Sequence, residues 1–300
     1  MPLDHTTFVN PFDKFNDGSR IMFPVVERKV AWLTRHGTPE IVRSHKAIVR
    51  ASEDGQTGHV LNVVCANYKL IHNKELFSHV EDTLYKKMPD TSLADVQVKD
   101  KVSGFGRVCL REYVFPNIRC KLKRAARSDI AFRLIVQNGY GGSALRIHAG
   151  AIEFFCSNGM ITGEYQSTYH KHTAGLVVTG INTAVERALD VFAASEQKWQ
   201  RWEETPVGHD QAMQLFHELA SSDKLRGNLI QQYMQERDTR GANLYSVYSA
   251  LTYYASHNDG EFKLRSSVQT QDTEASTMLQ RELTVAKWVN SDAWRKVEAV

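Results

Sequence analysis

Four side chains that can bind a metal or attack a substrate lie in one central stretch of the sequence: His148, Cys156, His170 and His172. Thiolates and imidazoles are zinc ligands, and a thiol beside an imidazole is the usual cysteine nucleophile. Zinc sites normally show paired ligands at short spacing, such as C-x-x-C, whereas only Cys156 offers sulfur here. A metal site and a Cys/His-centred enzyme therefore stay open as alternatives.

The residues around these groups favour a structural role. Cys156 follows Glu153–Phe155 in an apolar run, and buried cysteines behave as small apolar residues. The pairs Asn138–Gly139 and Asn158–Gly159 are typical of turns that need a positive φ. We therefore predict a hairpin with a turn at each end, Cys156 packed in the core, and no catalytic or metal-binding residue.

Nucleotide-binding motifs are absent from the sequence. No G-x-x-x-x-G-K-[ST] loop occurs, and no G-x-G-x-x-G opens a helix after a strand. The sequence GFGR at 104–107 is too short for such a fingerprint and predicts a tight hairpin or a backbone surface. We expect no cofactor.

The densest positive charge lies between Lys99 and Arg127. This stretch holds nine positive and two negative side chains, a local net of +7 in a chain of +3, which leaves −4 elsewhere. Such asymmetry is typical of polyanion binders, although a solvated face also produces it. Aromatic residues are interleaved with the cations; such rings either fill the core or stack on unpaired bases. The candidate nucleic-acid-binding residues are Lys99, Lys101, Phe105, Arg107, Arg111, Tyr113, Arg119, Lys121, Lys123, Arg124, Arg127, Arg133 and Arg146.

The elements that would position these residues follow from hydrophobic periodicity. Residues 1–40 are interrupted by proline and by Asn16–Gly18, so we predict an irregular arm. Residues 41–205 predict an α+β core: two strands, a helix capped by Asn73, three to five antiparallel strands with the basic hairpin, and a long helix. Residues 206–300 predict further helices. The fold class is therefore α+β, with an antiparallel sheet packed against helices from the second half.

The bulk composition sets the broad class of protein. With 42% hydrophobic and 24% charged residues, the 300-residue chain is typical of a globular protein. No apolar run approaches the roughly 20 residues that a membrane span requires, and no secretory signal begins the sequence. The four cysteines are far apart, as in reduced proteins. We expect no membrane partner and a location in the host-cell cytoplasm.

Several motifs resemble a family of phage- and plasmid-borne proteins catalogued as domain of unknown function nine-three-two. They are NGYGGSALRIHAG, FFCSNGMITG, YHKHT and NLYSVYSALTYYASH, and the similarity spans about residues 42–257. The family often has SHDGS where this chain has GYGGS, so no role of that His–Asp pair carries over. The positions that match the family pattern are Asn138, Gly142, Ser143, Cys156, Asn158, Gly159, His172, Thr173, Leu251 and Thr252.

The resemblance implies a setting but no reaction. Mobile-element genes of this size commonly serve replication, recombination or defence evasion. The strand-rich middle and long helix also resemble, at the level of fold only, the β-β-β-α core of single-strand annealing proteins of the Erf, RecT and Red-beta kind. We therefore predict a protein that binds and anneals single-stranded DNA without sequence preference, in phage or plasmid recombination or replication. The alternatives are a Cys/His-centred nucleic-acid- or nucleotide-processing enzyme and a protein that binds a host factor.

Annealing implies assembly into a homo-oligomeric ring or filament, because one hairpin covers few nucleotides. Further expected partners are a phage exonuclease or a host single-strand binding protein. Large rings are favoured anchors at interfaces, although packing in a core is their commoner fate. The rings that would serve assembly are Trp199, Trp202, Tyr245, Tyr248, Tyr253, Tyr254, Trp288 and Trp294.

Overall fold

Two antiparallel sheets and a set of helices make up the described part of the chain, which confirms the α+β class. The structure is a computed structural model. It describes residues 11–52, 58–122, 129–140, 145–153, 158–161, 168–170, 179–257 and 274–299.

The first sheet has three strands in the order β1-β2-β3: Val25–Leu33, Pro39–Ala51 and Gly58–Cys65. Strands β2 and β3 were expected, but β1 lies inside the predicted irregular arm, which is thus corrected. The segment VVERKVAWL is rich in β-branched and aromatic residues, which suit a strand. Proline precedes β1 and opens β2, where a missing N–H is tolerated.

The second sheet has the order β4-β5-β6-β7-β8, with β9 also paired to β7. Its antiparallel strands agree with the predicted strand-rich middle. The predicted turns are corrected, because Asn138 and Gly139 end β6 and pair with β5, while Asn158 and Gly159 open β8 and pair with β7. The strands are Gln97–Ser103, Val108–Lys121, Asp129–Gly139, Leu145–Glu153, Asn158–Ile161 and Thr168–His170.

Most helices lie in the second half, as predicted. The long helix is α3, and the expected C-terminal helix is instead two, because Ser291 accepts a hydrogen bond from the Trp294 N–H and starts α8. Asn73 does not cap α1 with its side chain; His72 occupies the cap position. Helices α1 to α8 are Asn73–Lys87, Asp90–Leu93, Thr179–Glu204, His209–Leu219, Asp223–Arg240, Leu244–Ser256, Glu274–Trp288 and Asp292–Glu298.

Both faces of the second sheet are covered. On one face, Phe132 packs against Phe192 of α3, with ring centroids 5.4 Å apart. On the other face, Leu110 and Ile135 form a buried cluster with residues of α7, including Leu279. Charged residues in the middle of these strands are therefore enclosed by helices.

The rings of the helical half fill the core of a single chain. Trp199, Trp202 and Trp294 are almost fully buried, and Trp202 and Trp294 pack edge to face at 5.1 Å. The same core continues from the strands across residue 205 into the last helices. Six of the eight rings are buried and supply no argument for assembly, while Tyr253 and Trp288 are half-buried and pack against the same core. Among the described residues, every helix is too short or too polar to span a lipid bilayer.

Candidate functional site

The cation at the centre of β5 is an internal structural group. Arg111 is fully buried and donates hydrogen bonds to Asp100 from Nε (2.8 Å) and Nη2 (2.9 Å), to Glu81 from Nη1 (2.8 Å), and to the side chain of Asn16 (2.6 Å). Tyr113, also fully buried, donates from its hydroxyl to Glu81 at 3.0 Å. Burial raises the pKa of Glu81, and Arg111 only partly offsets it. We therefore remove Arg111 and Tyr113 from the candidate interface.

Arg133 is also an internal structural group, on the opposite face of the sheet. Its guanidinium is 2% exposed and lies 2.8 Å from Glu282 on α7 and 2.5 Å from Glu112 on β5. Burial alone would raise the pKa of Glu112, but Arg133 and Lys101 outweigh it and hold that pKa below its ordinary value. Lys101 lies 3.9 Å from Glu112 and also contacts Met278. Arg133 is thus removed, and Lys101 is half-buried beneath α7.

The remaining cations of the basic stretch do not form one patch. Arg107 and Lys121 are exposed, but Arg107 immediately precedes β5 and Lys121 ends it, so they lie about 45 Å apart at ~3.3 Å per residue. Arg119 is exposed near the Lys121 end, Lys99 is exposed on β4, and Arg146 is half-buried on β7. Lys123, Arg124 and Arg127 lie outside the described residues.

Among the described residues, the histidines and cysteines do not come together in a site. Cys156 and His172 lie outside the described residues, and of His170 only the backbone, in β9, is described. His148 is 1% exposed, and burial, followed by the charges of Arg146 and Arg133, lowers its pKa to about 3. It therefore stays neutral at ordinary pH. Within the described ranges, no group of three or more His, Cys, Asp or Glu residues could hold a metal ion.

An exposed aromatic ring stands at the turn between β4 and β5. Phe105 is 61% exposed and has a φ of 56°, between Gly104 at 60° and Gly106 at 114°. Three successive positive φ values turn the chain tightly. A Cβ on Gly106 would lie 2.4 Å from Cζ of Phe23, so only glycine fits there. The sequence GFGR therefore forms the predicted tight hairpin and presents Phe105 to solvent.

The Phe105 turn contacts two strands of the first sheet. Arg50 of β2 donates from Nη1 to the Phe105 carbonyl at 3.0 Å, and its guanidinium lies 4.0 Å from the Phe23 ring centroid. The His59 ring of β3 lies 4.8 Å from the Phe105 ring. We name Phe23, Arg50, His59, Phe105 and Arg107 the Phe105 surface. Its guanidinium groups suit phosphates, and its rings suit stacking on bases.

Sequence reasoning missed the contribution of the first sheet. From Val25 to Ala51 there are six positive and two negative side chains, a net charge of +4. One of these cations, Lys46, pairs with Glu27 at 2.8 Å. The β-branched residues of VVERKVAWL are a strand signal, but residues 1–40 were predicted to be irregular. Of the six cations, Arg28, Lys29 and Arg35 lie in that part, and the other three lie in β2.

Comparison with protein families gives a match to a family described as Domain of unknown function (DUF932), over residues 60–283. The chain belongs to the DUF932 family. No curated protein and no solved structure matches it. The DUF932 match includes Val60–Cys65 of β3, the Phe105 turn and the whole second sheet, while β1, β2 and His59 precede it. The fold-level resemblance to single-strand annealing proteins stays a prediction.

Proposed function

We propose that this DUF932 protein binds single-stranded DNA on the Phe105 surface, without sequence preference. The observation that carries the proposal is the exposure of the Phe105 ring, which is 61% exposed. Arg50 bonds to the Phe105 carbonyl, and Arg107 follows two positions later in the sequence. A base stacked on such a ring contributes about 1–3 kcal/mol, and every base offers a face for stacking. Arginine side chains beside the ring supply the contacts to phosphate.

The backbone of the turn supports a ligand-binding role. A non-glycine residue in the left-handed region costs about 1–3 kcal/mol, and such conformations cluster at functional sites. At Phe105 this cost accompanies exposure of a large apolar ring, which gains nothing from water. A bound base would remove that ring from water and leave its own Watson–Crick edge free for pairing.

Annealing of complementary strands is the activity proposed for this surface. It requires several copies in register along the DNA, because one Phe105 surface contacts only a few nucleotides. Light scattering with and without a long oligonucleotide tests this part. A ring or filament supports annealing, whereas a strict monomer in both conditions limits the function to binding.

Fluorescence anisotropy with a labelled oligothymidylate of about 20 nucleotides tests binding directly. Loss of stacking in Phe105→Ala should weaken binding about fivefold to 150-fold. Arg107→Ala should lower the slope of log K against log salt by about one, as expected for one lost phosphate contact. Lys121→Ala, at the far end of β5, is the matched control and should change little. Wild-type affinity in folded Phe105→Ala and Arg107→Ala would disprove the assignment.

A further inference from the structure

The outer part of the β1–β2 hairpin projects away from the body of the protein. No residue from 29 to 45 is buried, and the inner end of the segment joins the first sheet through the pairing of His45 with Cys65 and the bond from the Ala66 N–H to the Ser44 carbonyl (2.9 Å). We name residues 29–45 the hairpin arm. From Lys29 to Leu33 the arm reaches about 13 Å, at ~3.3 Å per residue. It is a two-stranded ribbon that stands in solvent.

The arm has a defined shape. Its end is closed by hydrogen bonds from the Thr34 N–H to the Thr38 carbonyl and from the Gly37 N–H to the Thr34 carbonyl, each 2.9 Å long. Lys29 pairs with Lys46, but Ala31 pairs with Ile41, so β2 carries four residues opposite one residue of β1. Such a bulge bends a ribbon and increases its twist.

The arm is apolar directly behind its turn. Trp32, Leu33 and Ile41 are 55%, 69% and 57% exposed, and they are three of the seven large exposed hydrophobic residues in the described chain. The cross-strand pairs Ala31–Ile41 and Leu33–Pro39 share one face of the ribbon, and Trp32 occupies the other. An exposed apolar cluster of this kind on a protruding segment marks an interaction site.

Positive side chains lie along the hairpin on both sides of these apolar residues. Arg28, just before the arm, and Lys29 are exposed on β1, Arg35 lies in the turn beyond the apolar residues, and Arg43 is exposed on β2. One exposed carboxylate, Glu40, pairs with Trp32. The same β2 strand continues to Arg50 at the Phe105 surface. The cations therefore form a track along the ribbon rather than a ring around its tip, and a linear track fits a phosphate backbone better than a lipid surface.

We infer that the hairpin arm binds double-stranded DNA and inserts the apolar side chains behind its turn between base pairs, which bends the duplex. A two-stranded ribbon fits the major groove, and basic ribbons that follow the minor groove insert Leu, Ile or Pro wedges between base steps. The partially unstacked step is then covered by Leu33, Ile41 and Trp32. This activity uses residues different from those of the proposed single-strand site, so each can fail without the other.

A duplex of about 30 base pairs with a donor and an acceptor dye at its ends tests the inference. Wild-type protein should bring the ends together and raise energy transfer. The triple variant Trp32→Ala, Leu33→Ala, Ile41→Ala should abolish this rise and weaken duplex binding at least about tenfold. Because all three side chains are exposed, its melting temperature should match wild type. Phe105→Ala is the matched control: it should bend the duplex normally while its affinity for oligothymidylate falls.

Three results would overturn the inference. The first is a wild-type protein that binds single strands but leaves energy transfer in the duplex unchanged. The second is equal bending by the triple variant. The third is co-sedimentation of wild type, but not of the triple variant, with phosphatidylserine–phosphatidylcholine vesicles in the absence of any duplex binding, which would assign these apolar side chains to a membrane surface.

Discussion

Replacing Arg111 with methionine tests whether the buried charges of β5 hold the fold together. The change removes the cation that lies 2.8 Å from both Glu81 and Asp100, whose side chains are only 2% and 12% exposed. Loss of one partner of a buried ion pair costs about 3–5 kcal/mol, because the other charge stays buried. Tyr113 and Asn16 still donate hydrogen bonds to Glu81, so we expect the lower end of this range.

The expected loss is large enough to measure by urea denaturation, followed through the fluorescence of the buried tryptophans. A loss of about 3 kcal/mol raises the unfolding equilibrium constant more than a hundredfold. With a urea dependence of about 3 kcal/mol per molar, the midpoint falls by about 1 M. Arg119→Met, on the same strand but exposed, is the control and should cost less than about 0.5 kcal/mol.

The pH dependence of Arg111→Met provides a second readout. Burial already raises the pKa of Glu81, and Arg111 is the largest influence that lowers it. Without Arg111, the folded-state pKa of Glu81 rises further above the unfolded value, so folding favours the protonated acid. That contribution is present below the unfolded pKa and is lost as the pH rises through the folded pKa. The deficit of the variant should therefore shrink, by up to about 1.4 kcal/mol per pH unit, as the pH falls through the folded-state pKa of Glu81. A midpoint within about 0.2 M of wild type, or a deficit independent of pH, would refute the reasoning.

Three further substitutions test other features by the same denaturation assay. Gly106→Ala should cost at least about 2 kcal/mol more than Gly18→Ala, because both have positive φ but only Gly106 faces a collision with Phe23; equal costs would contradict this. The folded-state pKa of His148 is depressed to about 3, so the free energy of unfolding should fall as the pH drops below about 6.5. His148→Phe should flatten that fall. A His148 ring that titrates near pH 6.5 by NMR would contradict this prediction. Asn73→Ala removes the hydrogen bonds that join its side chain to the Ile21 carbonyl and the Asn138 amide, each 2.7 Å, and should cost about 1–3 kcal/mol of stability. The costs of Asn73→Ala and Asn138→Ala should be non-additive in the double variant, and strict additivity would exclude an interaction between the two side chains.

Local pattern accounts for the elements that could be predicted from the sequence. Strands β2 and β3, the antiparallel strands of the middle and the helices from α3 onward follow from periodicity of two or 3.6 residues, which depends only on neighbours in the chain. Strand β1 was not predicted because proline and Asn16–Gly18, which precede it, are typical of irregular chain. The split between α7 and α8 escaped because Ser291 sits inside an otherwise helical pattern.

Partners far away in the chain account for most of what could not be predicted. Arg111 and Arg133 look like surface cations by count, but their carboxylate partners lie in α1 and α7, and no local pattern announces such pairs. Asn138 was predicted to form a turn, yet its amide bonds to Asn73 at the start of α1. Of the candidate interface, Phe105 and Arg107 join the Phe105 surface, because the turn that exposes them is encoded within four residues.

The pairing of Arg133 with Glu282 has a consequence for synthesis on the ribosome. The two residues are 149 positions apart, so at about 5–20 residues per second the sheet waits roughly 7–30 seconds for its last charge partner to be made. During this interval Arg133 and Glu112 remain open to water, and the apolar residues between them, Leu110 and Ile135, lack their cover from α7. The nascent chain thus exposes this face of the sheet until α7, the helix before α8, has been made. Helix α7 is a cover that is added late in synthesis.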